Sequence, residues 1–158
     1  MSFLRNVLAA VMVPIVKFLR FLSPVGDLIV RFWLAKIFFD SGLTKIQSWE
    51  STVLLFTNAY HVPLLSPPVA AFLGTACELI LPVLLVLGLG GRIAIFIFFI
   101  YNIVAMISYN FLWTPSGAAG LEEHISWALL LMMLMFHGPG KISMDHWLSK
   151  RHLINAIE

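Results

Sequence analysis

The stretch RFWLAKIFFDSGLTKI, from Arg31 to Ile46, is greasy enough for a membrane helix, yet it holds Arg31, Lys36, Asp40 and Lys45. A charge in hydrocarbon costs at least about 2.5 kcal/mol, so each needs a partner, a wet cavity or room to snorkel. Depth separates the four. With a span starting near Val25, Arg31 sits close to the starting edge and either snorkels or pairs with Asp27, one turn earlier in the favourable acid-then-base order. Lys45 falls at the far boundary and snorkels. Lys36 falls near the centre and Asp40 one turn beyond, on the same helical face and roughly opposite Arg31. Two later stretches repeat the theme. Glu78 lies mid-stretch on a stripe with Ala71, Gly74, Leu81 and Leu85, whose small members let helices approach closely. Asn102 is central on a face with Ala105 and Tyr109. The expectation is that Lys36, Glu78 and Asn102 meet inside a helical bundle, with Asp40 above them toward the outer mouth. Two readings stand side by side: a polar clasp that sets which helices pack, or a pocket for a small ligand, a quinone head group or a proton path.

GLEEHISW places Glu122, Glu123 and His124 at a helix start, where carboxylates suit the positive end of the helix dipole. His124, with His61, is the candidate for moving protons at the pocket mouth. No metal site is expected, because E-E-H lacks a defined ligand spacing. Nor is haem: His124 and His137 fall at opposite membrane faces. There is no GxGxxG, so no flavin or dinucleotide motif is present. The lone Cys77 rules out a C-x-x-C couple within the chain, and it reads as a small buried side chain. Met132, Met133 and Met135 read as helix packing, and Trp33, Trp49, Trp113 and Trp127 include interface anchors.

The elements that must position these groups follow from composition. The 158 residues are 60% hydrophobic and 11% charged, with a mean hydropathy of +0.94. A soluble domain of this size could not cover so much apolar surface, and a net charge of +2 gives no argument for nucleic acid. Stretches near the roughly 20 residues that cross a bilayer recur. The expected fold is all-α: one integral membrane domain, a four-helix bundle with spans at about 25–44, 69–89, 92–113 and 121–136. An amphipathic segment, 1–24, precedes it on the cytoplasmic face as a retained segment rather than a cleaved signal, and 137–158 forms a cytoplasmic tail. GLGG and TPSGAAG make tight turns between antiparallel spans. SWESTVLLFTNAY, too short to span, is expected to lie along the interface between the first two spans. Arg5, Lys17, Arg20, Arg92, Lys141, Lys150 and Arg151 fall on one side, which places both termini in the cytoplasm.

Gly42 and Lys45 in FFDSGLTKI, then HVPLLSPPVAAFLGTACELILPVLLVLGLGGRIA with Glu78 and Arg92, and HGPGKISMD with Gly138, Pro139 and Gly140, together resemble the DoxX family of small bacterial membrane proteins. The likeness runs from about Val25 to Trp147. It implies four transmembrane helices, a bacterial inner-membrane location and a quinone-linked oxidoreductase system, with a redox partner protein as the electron source. It carries over Gly42, Lys45, Glu78, Arg92 and the GPG turn, whereas Lys36 and Asp40 are not part of the pattern. Beside this stand a non-enzymatic partner or chaperone module and a small-solute transporter acting as a homo-oligomer.

Overall fold

A computed structural model describes the backbone of residues 2–138 and 140–155, and the side chains of 10–138 and 140–150. Every regular element among them is helical. α1 runs from Ser2 to Gln47, α2 from Trp49 to Asn58, α3 from Pro67 to Leu87, α4 from Gly91 to Ser108, α5 from Ala118 to His137 and α6 from Met144 to Asn155. Three segments are long and apolar enough to cross a membrane: Pro67–Leu87, Gly91–Ser108 and Pro115–His137. α1 has the length, but its run from Arg31 to Lys45 is too charged to read as apolar throughout.

The boundaries follow local chemistry. α3 opens on Pro67 and Pro68, where the missing amide protons cost no hydrogen bond. It closes at Gly88, whose φ of 65° is left-handed, with the Leu89 amide returning to the Leu84 carbonyl at 3.0 Å. α4 ends at Ser108, five residues short of the expected Trp113, because the backbone turns extended at Tyr109 before a short 3-10 turn over Asn110–Trp113. α5 starts at Ala118, ahead of the expected Leu121.

α1, α3, α4 and α5 share one core of Leu34, Phe38, Leu81, Leu85, Ile95, Phe98, Leu131 and Leu134. Phe38 sits at its middle, edge-on to Phe98 at 4.7 Å and to Trp127 at 5.1 Å. Trp127 is thus a core partner as well as a member of the aromatic set. α2 folds onto the N-terminal half of α3, burying Phe56 against Ala70 and Ala71.

Two findings correct expectations about α1. First, it has no boundary near Val25; the N-terminal segment and the first apolar stretch are one helix, with Pro14 and Pro24 inside it. Second, Arg31 does not snorkel. It is 1% exposed, donates from Nη1 to the Ile142 carbonyl at 3.2 Å and lies under the Gly88 turn. A Cβ on Gly140 would meet Arg31 Nη2 at 2.9 Å and Asp27 Oδ2 at 3.6 Å. Residues 140–143 therefore lie over α1 and the α3–α4 turn, with Arg31 between them. Pro139 lies outside the described residues; Arg92 lies against Gly138, whose Cβ would come within 3.2 Å of Arg92 Nε.

The register of α1 against α3 is set at Gly42. A Cβ there would meet Leu79 Cδ2 at 3.0 Å and Glu78 Cβ at 3.1 Å, so the two backbones approach closely only because the side chain is absent. Replacing Gly42 with Val should cost about 1–3 kcal/mol through overpacking. Gly26→Ala, where a Cβ meets nothing within 4 Å, should be neutral or slightly stabilising. Thermal unfolding in detergent separates the two, and equal midpoints would contradict the close contact.

Candidate functional site

The register fixed by Gly42 decides which charges meet. Lys45, not Lys36, reaches Glu78: Lys45 Nζ lies 2.6 Å from Glu78 Oε2, with side-chain exposures of 12% and 9%. The same ammonium donates to Ser41 Oγ at 2.8 Å, and Tyr101 donates from its hydroxyl to Glu78 Oε1 at 2.9 Å. One carboxylate from α3 thus joins a cation from α1 and a phenol from α4. Ion pairs this dry persist only when the remaining hydrogen-bonding capacity is also satisfied, and both carboxylate oxygens are.

Lys36 is the correction. Its Nζ pairs with Asp40 Oδ2 at 2.6 Å along the outer face of α1, at side-chain exposures of 75% and 56%. It does not meet Glu78 or Asn102, and Asp40 stands over no inner pocket. Lys36 and Lys45 are nine residues apart, about two and a half helical turns, and so lie on opposite faces. Equal depth does not bring Lys36 to Glu78, because Lys36 stands on the exposed face of α1.

Asn102 is fully buried and belongs to a second pair. Its Nδ2 donates to the His124 carbonyl at 3.0 Å, and its Oδ1 lies 2.8 Å from His124 Nδ1, which ties α4 to α5. That contact makes the ring nitrogen facing Asn102 the protonated one, leaving Nε2 as the acceptor. His124 also stacks edge-on against Trp127 at 4.7 Å. His61 is elsewhere, with its Nδ1 3.2 Å from Asn110 Nδ2, and Glu122 and Glu123 are exposed on the side of α5 that faces Trp33. The E-E-H group therefore does not converge. Among the described residues no cluster of His, Cys, Asp and Glu could hold a metal ion.

Between these groups lies a cavity of about 230 Å³. Lys45, Glu78, Tyr101 and His124 supply its polar wall; Ile37, Phe38, Phe56, Leu73, Val104 and Trp127 supply most of the apolar one. Cys77 lines it as well, half-buried rather than fully buried as expected. Phe56 and Tyr60 in its wall belong to a stack of rings, Phe56 on Tyr60 and Tyr60 on Tyr109, each at 4.5 Å and close to parallel. An antiparallel bridge between Tyr60 and Tyr109 holds this stack, with the His61 amide donating to the Ser108 carbonyl at 2.8 Å. Burial first, then Glu78 and Tyr109, raises the Tyr60 phenol above its ordinary range, so it stays a neutral donor at physiological pH. Of these groups Lys45 is marked in the sequence only as a family position at the span boundary, and Tyr101 and Tyr60 are not marked at all. Tyr101 could have been found, since it adjoins Asn102 in the one polar interval of an otherwise apolar stretch.

Apolar helices around a buried polar cavity define a helical membrane protein. The DoxX family model matches residues 26–111, more than half of the chain, and the chain belongs to the DoxX family. The match takes in Gly42, Lys45, Glu78 and Arg92; the GPG turn lies beyond it. Comparison with curated proteins and with solved structures gave no match.

Either single change, Lys45→Met or Glu78→Gln, leaves an uncompensated polar group in the interior and should cost about 3–5 kcal/mol. The double replacement Lys45→Met with Glu78→Leu should recover most of it. Thermal unfolding of all three in detergent tests the pair, and additive losses would mean the two groups are not coupled.

Proposed function

We propose that the protein is an inner-membrane subunit that binds the ring of a small amphipathic molecule, of quinone type, in the cavity bounded by Lys45, Glu78, Tyr101 and His124. In this reading α1 acts as a fourth span and completes an integral membrane four-helix bundle, and both termini face the cytoplasm, as the distribution of Lys and Arg favours. The observation that carries the proposal is the cavity itself. Its 230 Å³ exceeds the roughly 150 Å³ that accommodates a benzene ring and suits a substituted six-membered ring. Apolar walls with a few convergent polar groups are the usual make-up of a small-molecule site.

The chemistry supports the same reading. An ammonium has three N–H donors, and Lys45 spends one on Glu78 and one on Ser41. The third is available to a ligand carbonyl oxygen. Negative charge that develops on that oxygen during reduction is stabilised by the cation beside it, and Glu78, Tyr101 and His124 are the groups in the cavity wall able to pass a proton. Electrons come from a partner protein, because the chain offers no residue pair or motif that would hold a redox centre.

A structural clasp is the second reading, favoured by the dense bonding of Glu78, which joins three helices whether or not a ligand is present. A cavity-filling variant separates the two. Ala105→Phe occupies the cavity from α4 while leaving the Lys45–Glu78 pair intact. A short-chain benzoquinone should raise the unfolding midpoint of the detergent-solubilised protein and fail to raise that of Ala105→Phe. At 100 times its dissociation constant the ligand stabilises by about 2.7 kcal/mol, a shift well within reach of measurement. No shift in the unsubstituted protein, or equal shifts in both, would leave the clasp as the better account.

A further inference from the structure

The contacts of Asn102 fix the direction in which His124 can hydrogen-bond. A backbone carbonyl only accepts, so the Asn102 nitrogen must face the His124 carbonyl, which it meets at 3.0 Å. Oδ1 then faces the ring at 2.8 Å, and because that oxygen also only accepts, His124 Nδ1 carries the proton. Turning the amide over would set two acceptors against each other at the carbonyl. Asn102 is fully buried and does not line the cavity, whereas His124 does. The other ring nitrogen, Nε2, has no hydrogen-bond partner among the described residues. It is not sealed off either, so it borders open space.

The wall therefore has a set polarity. Lys45 brings a donor, its third N–H, while Glu78 already accepts from Lys45 at one oxygen and from Tyr101 at the other. His124 Nε2 brings a vacant acceptor, and in the neutral ring it can be nothing else. We infer that the cavity selects ligands whose ring carries a hydroxyl or N–H donor as well as an oxygen acceptor, the donor going to His124 Nε2. Asn102 is the positioning residue that keeps this nitrogen an acceptor. The inference rests on the small-molecule reading of the cavity and narrows its ligand class. A phenol bearing a second oxygen, or the dihydroxy form of a quinone, meets both Lys45 and His124. A quinone with carbonyls alone meets Lys45 and leaves Nε2 stripped of water and unpaired, which is how a polar site rejects a close analogue. With the tautomer reversed, Nε2 would donate and the preference would turn to the carbonyl form. One amide on α4, outside the wall, thus sets which of two related ring systems is held.

Two probes of nearly equal shape test this: para-methoxyphenol, which has donor and acceptor, and para-fluoroanisole, which lacks the donor. At about pH 8, above the ordinary imidazole value of about 6.5, the detergent-solubilised full-length protein should bind the phenol about tenfold more tightly, read from the dependence of its unfolding midpoint on probe concentration. Nitrogen NMR of protein labelled in its histidine rings should show the Nδ1–H tautomer for His124, its signal assigned by loss in His124→Phe. Asn102→Leu should release that tautomer and abolish most of the preference while para-fluoroanisole still binds. Equal affinities for the two probes, both lost in Ala105→Phe, overturn the donor requirement and leave the small-molecule reading standing. If neither probe nor the benzoquinone shifts the midpoint, both fall. A tautomer or a preference unchanged in Asn102→Leu overturns the positioning role.

Discussion

Everything in the interior depends on one close approach, that of α1 to α3 at Gly42. Because no side chain stands between the backbones, the lysine one turn further along α1 is brought to the carboxylate of α3 and nothing else on α1 can be. Steric registration comes first and electrostatics follows. The ion pair then recruits the Tyr101 hydroxyl from α4, while Asn102 on the same helix holds α5 through His124. The polar groups thus form a chain of contacts across all four core helices. Beside it the apolar side chains leave a cavity, with Phe56 and Tyr60 of the ring stack in its wall.

The opposite end of the molecule is built on a different constraint. Arg31 is buried beneath the turn from α3 to α4, and glycines at 88 and 140 make room for its guanidinium. Both adopt positive φ, which other residues rarely tolerate, so their conformation and their lack of bulk are used together. Two glycine-rich turns far apart in sequence are thus two sides of one arginine-centred lock.

Much of this architecture was legible in the sequence, and the failures share a cause. The apolar stretches, the GLGG turn, the helix between the first two apolar stretches and the mid-stretch placement of Glu78 and Asn102 all follow from hydropathy and from Gly and Pro punctuation. What failed was the contact made by α1: hydropathy places residues along a helix but does not say which of its faces meets α3, and Lys36 and Lys45 lie on opposite faces. An error of nine residues reverses the helical face, which is why the wrong lysine was matched to Glu78. For Arg31 only the snorkelling alternative fails: Asp27, local and visible in sequence, does lie beside the guanidinium, whereas the Ile142 carbonyl that receives its hydrogen bond is more than a hundred residues away in the chain. The convergence of Cys77, Tyr60 and Tyr101 on one cavity is tertiary and has no local signature.

In the proposed function the cavity between Lys45, Glu78 and Tyr101 holds a small ring-bearing molecule. The most direct measurement is native mass spectrometry of the protein released from its own membrane, compared with Ala105→Phe prepared identically. A retained small-molecule adduct on the unsubstituted protein and its loss from the filled variant is the expected result. An unsubstituted protein that flies bare, or an adduct carried equally by both, would contradict the claim.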